Sequence, residues 1–92
     1  MKTITMFYLE SCPYCKKGRD AIAELTAENP EYAKIPIEMI EESEEPERAD
    51  AYDYYRVPSL FIGEEKLYEA DIFQDYEEIR DNIRRVFDLA LA

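Results

Sequence analysis

Apolar and polar positions repeat with changing period along these 92 residues, and each change of period marks an element boundary. Thr3 to Leu9, with Ile4, Met6 and Phe7, is a short apolar run that predicts a buried strand. Pro13 then suits a first helical position, and Tyr14, Gly18, Ala21, Ile22 and Leu25 recur at helical spacing until Asn29-Pro30 ends the helix. Gly18 on that face permits close packing. Ile35, Ile37 and Met39 alternate as a second strand, which a crossover helix makes parallel to the first in a right-handed unit. A second helix is predicted between Glu44 and Tyr55, with Ala49, Ala51 and Tyr52 as its less polar positions. Ser59-Leu60-Phe61-Ile62 and Lys66-Leu67-Tyr68, divided by Gly63-Glu64-Glu65, predict an antiparallel hairpin. From Phe73 onward Tyr76, Ile79, Ile83, Val86, Phe87 and Ala90 form an amphipathic stripe suited to core packing. Its cap is Asp71 or Asp75, the latter with Glu78 three residues on as a capping box.

The order β-α-β-α-β-β-α predicts an α/β fold with a four-stranded mixed sheet flanked by helices, in a single domain spanning residues 1–92. An apolar fraction of 47% with 13% aromatic residues is globular, and two glycines leave little room for flexible linkers. Twenty-two acidic against eleven basic residues give a net charge of −11, which repels phosphate backbones and anionic membranes and argues against both partners. Acid is densest from Glu38 to Asp50, which reads first as a solvated loop and helix start and second as a docking surface for a basic partner. No stretch approaches membrane-spanning length and Met1 to Leu9 has no long apolar region, so the expected location is cytoplasmic, with a monomer as the default.

The candidate chemistry lies in Ser11-Cys12-Pro13-Tyr14-Cys15, which places the only two cysteines two residues apart, after a strand and at the start of a helix. A helix N-terminus offers unpaired N–H groups and partial positive charge, both of which favour a thiolate. Cys12 is the natural nucleophile toward a disulfide, and Cys15, one helical turn on, is close enough to resolve the mixed disulfide. A structural bridge closing so short a loop would stabilise little, and in a reducing compartment such a pair points to catalysis. A metal reading also stands. With no histidine and no third cysteine, one subunit offers half of a four-thiolate site, so a metal would need carboxylate partners or a dimer sharing two pairs, the latter for zinc or an iron–sulfur cluster.

With Cys12-Pro13-Tyr14-Cys15 between strand one and helix one, and Val57-Pro58 just before strand three, the chain resembles the dithiol glutaredoxins of the thioredoxin-fold superfamily. The first motif matches the family's residue for residue, the second matches its cis-proline landmark, and the resemblance covers essentially the whole chain. On its own, Pro58 reads as an ordinary strand-starting proline. The resemblance implies a thioredoxin fold, thiol–disulfide exchange on protein disulfides, a cis bond at Pro58, and main-chain recognition of substrate by Val57. The absence of tryptophan favours the glutaredoxin branch over thioredoxins proper.

Departures from the family pattern bear on the electron donor. Leu9 stands where many glutaredoxins carry a cation for a glutathione carboxylate, and Leu67-Tyr68-Glu69-Ala70-Asp71 stands where they carry a Gly-Gly pair and an aspartate. An acidic protein lacking these contacts is expected to bind anionic glutathione weakly. The favoured donor is therefore a flavoprotein thioredoxin reductase. The second is glutathione, held in a pocket of Tyr14, Arg56 and Pro58. Pro13, Tyr14, Arg56, Val57 and Pro58 are the candidate substrate-binding residues, with no tightly bound cofactor. Lys16 and Lys17 would favour the Cys12 thiolate if they point toward it. Tyr52, Tyr54 and Tyr55 are expected to pack under the Val-Pro loop.

Overall fold

The computed structural model describes residues 1–92. Its elements are β1 (Ile4–Tyr8), α1 (Pro13–Glu28), α2 (Pro30–Ala33), β2 (Ile37–Glu41), α3 (Pro46–Asp50), β3 (Ser59–Ile62), β4 (Glu65–Glu69) and α4 (Tyr76–Leu91). The four strands form one sheet in the order β2-β1-β3-β4, with β1 and β2 parallel and the other two pairings antiparallel. This is the mixed α/β sheet the sequence predicts. The short α2 is an addition: Asn29-Pro30 does end α1, but Pro30 then opens a further turn whose first N–H groups are capped by the Asn29 side chain, which accepts from Glu31 N–H.

Strand β1 is central and buried on both faces, which is why its sequence is mostly apolar, with Thr5 as its one buried polar residue. Ile4 and Met6 join Leu60, Ala21, Leu25, Ile79, Ile83 and Phe87 in the larger core, beneath α1 and α4. Phe7 points the other way and packs with Ile40 and Phe61 under Tyr52, Tyr54 and Val57. A methyl group added at Gly18 would lie 3.4 Å from Met6 Cε and 3.4 Å from Pro58 Cγ, so glycine lets α1 sit against β1 and the Pro58 loop.

Four expectations need correction. The alternation of Ile35, Ile37 and Met39 does not continue as a buried face: β2 is an edge strand, Met39 is 37% exposed, and fully buried Ile40 serves the opposite face. Helix α3 is shorter than Glu44 to Tyr55, because the chain leaves it after Asp50 and turns the Tyr52 and Tyr54 rings onto Phe7, at centroid distances of 4.8 and 4.9 Å. Tyr55 does not join them and is 89% exposed. Phe73 lies outside the closing helix, exposed and with φ of +71°. Helix α4 starts later, at Tyr76, because Asp75 forms the capping box with Glu78: Glu78 N–H donates to Asp75 Oδ1 at 2.8 Å and Asp75 N–H to Glu78 Oε1 at 3.2 Å.

Candidate active site

Cys12 is the N-cap residue of α1, just past the carboxyl end of β1, where ligands of open α/β sheets gather. Its N–H donates to Leu9 O at 3.1 Å and its carbonyl accepts from Lys16 N–H at 3.0 Å. Its side chain makes no capping bond, so the sulfur is left for other partners. Cys12 Sγ is partly exposed and lies 3.9 Å from the Val57 carbonyl oxygen.

Cys15, one turn on, is fully buried, and its Sγ accepts from Leu9 N–H at 3.4 Å. Burial pushes this thiol up to about 12, with the Leu9 N–H bond acting in the opposite direction. The pair is therefore asymmetric: one sulfur faces a loop that a substrate can approach, while the other is held inside as a protonated thiol.

Burial acts on two phenols as well. It raises Tyr68 to about 12, with the Glu78 and Asp71 charges adding to it, and raises Tyr54, whose hydroxyl donates to Glu42. Cys15, Tyr54 and Tyr68 thus keep their protons in the folded state beyond their ordinary values of 9.0 and 10.0. Unfolding releases those protons at alkaline pH, so the stability these groups contribute is complete below about pH 9 and is lost as pH rises toward about 12. The urea midpoint of the reduced protein is expected to fall through that window, less steeply in Cys15→Ala. A midpoint unchanged between about pH 8 and 11 would contradict this.

The second side of the site is the segment before β3. The Val57–Pro58 bond is cis, as the resemblance implies, and Pro58 is buried against α1 at Gly18. Glu69 on β4 fixes this segment from outside: its Oε2 accepts from Tyr55 N–H at 2.7 Å and Arg56 N–H at 2.6 Å, while its Oε1 pairs with Lys66 at 2.6 Å. Ser59 Oγ donates to the Arg56 carbonyl, and Ala70 N–H to the Pro58 carbonyl at 2.9 Å.

A cavity of about 260 Å³ lies between the two sides, walled by Leu9, Tyr14, Val57, Arg56, Asp71 and Glu42, with Tyr55 and Ile72 also on its lining. The structure thus brings Tyr14, Arg56 and Val57 together beside Cys12, with Pro58 behind them. Pro13 stands exposed at the first position of α1 and lines no cavity. Arg56 is not free to offer its charge, since its Nη1 lies 2.6 Å from Asp71 Oδ1. Lys16 pairs with Asp20 at 2.8 Å and Lys17 Nζ sits 5.5 Å from the Tyr14 ring centroid, so neither has Cys12 as its partner. Of the two residues set against the family's glycines, Tyr68 points into the larger core and Glu69 accepts from the Tyr55 and Arg56 N–H groups, so neither lines the cavity; Ala70 and Asp71, which follow β4, do.

Glu42, Tyr55 and Ile72 escaped the sequence reading as site residues. Glu42 is one acid among many in the run from Glu38 to Asp50, and nothing in the pattern distinguishes it. Ile72 and Phe73 belong to the β4–α4 connection, which Tyr14 anchors by accepting Phe73 N–H at 2.9 Å. No group of three or more His, Cys, Asp or Glu side chains is arranged to hold a metal ion, and Cys15 Sγ faces inward, so the shared-metal reading gains no support from the geometry.

The glutaredoxin family model matches residues 4–68. The chain belongs to the glutaredoxin family. A match of that extent takes in both Cys12-x-x-Cys15 and Val57-Pro58, and its activity is of the thiol–disulfide oxidoreductase kind. Among solved structures, thioredoxin 1 from Thermosipho africanus TCF52B superposes with a TM-score of 0.60 at 21% identity, covering 98% of this chain and 99% of that one. A thioredoxin mutant from Halobacterium salinarum NRC-1 gives 0.58 at 24% identity, covering 90% and 72%. At these identities the likeness establishes the thioredoxin fold. No curated protein matches the sequence. No helix is long and apolar enough to cross a membrane.

Proposed function

We propose that this glutaredoxin reduces protein disulfides by a dithiol mechanism of the Cys-Pro-Tyr-Cys type, acting as one domain over residues 1–92. The Cys12 thiolate attacks one sulfur of the target disulfide, forming a Cys12–substrate bond and expelling the other sulfur as a thiolate that takes up a proton. Cys15 then gives up its proton and attacks Cys12 Sγ, forming the Cys12–Cys15 disulfide and releasing the second substrate thiol. Two electrons pass from the protein to the substrate. The observation that carries this reading is the asymmetry of the pair, with Cys12 partly exposed beside the Val57 carbonyl and Cys15 buried one turn behind it. Val57 offers its main chain to an extended substrate segment, with Tyr14 beside it. A reducing compartment such as the cytoplasm suits a protein that must be returned to its dithiol form.

For that return, a flavoprotein thioredoxin reductase is favoured over glutathione. Leu9 contributes no cation, and Arg56 is already paired with Asp71. NADPH oxidation with a disulfide substrate, fed in parallel by thioredoxin reductase or by glutathione with glutathione reductase, tests the assignment. Turnover is expected chiefly with the former, and Leu9→Lys is expected to raise the glutathione-driven rate about two- to fivefold through one added surface charge contact. Faster turnover of the natural sequence with glutathione, or no effect of Leu9→Lys, would overturn the choice of donor.

A further inference from the structure

We infer that the cavity beside Cys12 selects disulfides that carry a lysine or arginine next to the reacting cysteine. This rests on the exchange reading above and narrows its substrate class. The cavity belongs to the reacting centre: Leu9 and Tyr14 flank Cys12 in sequence, and Val57, whose carbonyl is 3.9 Å from Cys12 Sγ, lines it as well. At about 260 Å³ it is smaller than the roughly 300–1,000 Å³ of pockets that enclose whole small molecules, and it suits a single side chain.

Its lining is two-natured. Leu9, Tyr14, Val57 and Ile72 present apolar surface to a methylene stem, and Glu42 and Asp71 bring carboxylates. Long cationic side chains combine an apolar stem with a charged tip and fit such a lining. The charge balance sets the sign. Arg56 is the one cation in the wall and Asp71 neutralises it at 2.6 Å, whereas no cation pairs with Glu42, whose partner is the Tyr54 hydroxyl at 2.9 Å. Glu42 is thus a held, unneutralised carboxylate within a chain of net charge −11. An anionic group entering here meets repulsion, while a cation meets Glu42 and keeps its hydrocarbon stem against the apolar wall.

The test uses disulfide-linked dimers of one short peptide, differing only in lysine or glutamate beside the cysteine, under the NADPH-coupled assay. In low salt the lysine dimer is expected to show about tenfold higher kcat/KM, a ratio that shrinks as ionic strength rises. Glu42→Gln retains an oxygen for the Tyr54 hydroxyl and is expected to cut the ratio about threefold, and Asp71→Asn, which frees Arg56, to lower it as well. Glu64→Gln removes the same charge at the hairpin turn next to β3 Ile62, the end of the sheet away from Cys12, and is expected to leave the ratio unchanged. Thermal melts establish that each variant folds. Equal turnover of both dimers, or the same response to Glu64→Gln as to Glu42→Gln, would overturn the inference and leave disulfide exchange standing. Failure to reduce either dimer would overturn the exchange reading itself.

Discussion

Replacing Cys12 with serine is expected to abolish NADPH-coupled disulfide reduction, with a loss of at least about a thousandfold, while the protein stays folded. The two halves of that expectation come from different features. A serine hydroxyl cannot replace the thiolate as a nucleophile toward sulfur, so the first step has no substitute. The fold tolerates the change because Cys12 is an N-cap residue whose side chain makes no capping bond, and serine is among the preferred N-cap residues. Thermal unfolding at or above the natural midpoint, together with absent turnover, is the expected pair of results. Turnover within a few fold of the natural rate would remove Cys12 from the mechanism.

Phe7→Ala is expected to be the most damaging single change to stability away from the cysteines, at about 3–5 kcal/mol. Phe7 is fully buried on the face of β1 opposite α1 and packs on Tyr52, Tyr54 and Phe61 at centroid distances of 4.8, 4.9 and 5.8 Å. That second core is small, with Phe7, Ile40 and Phe61 as its buried members, so the cavity left by the ring has few neighbours able to fill it. A domain of this size is stable by roughly 5–15 kcal/mol, and the loss would consume a large share of that. Denaturant titration measures it directly; a loss under about 1 kcal/mol would show that the α3 face contributes little to holding the sheet. The damage would reach the site too, because Tyr52, Tyr54 and Val57 pack against this cluster and Val57 faces Cys12.

What the sequence disclosed, and what it hid, follows from the range of the interactions involved. β1, α1 and the β3–β4 hairpin were legible because local signals specify them: an apolar run, Pro13 at a helix start, Gly63 at a turn where φ is +61°. The Cys12–Cys15 pair was legible because its spacing fixes its geometry on one helical turn. By contrast, Met39 is exposed because β2 lies at the sheet edge, which is a property of strand order. The inward turn of Tyr52 and Tyr54 depends on Phe7 and Phe61, which lie elsewhere in the chain. Likewise Glu42 became distinguishable from its acidic neighbours only when the fold set it on the same cavity as Leu9, 33 residues before it, and Arg56, 14 residues after it.

The most direct measurement is intact-mass analysis of the Cys12→Ser and Cys15→Ser variants after each is incubated, reduced, with a disulfide-linked peptide. Cys15→Ser is expected to accumulate an adduct of one peptide on Cys12, because the first exchange proceeds and the resolving thiol is missing, while Cys12→Ser stays unmodified with its remaining thiol buried. Adduct formation on Cys15 at a comparable rate, or none on Cys12, would contradict the division of labour between the two sulfurs.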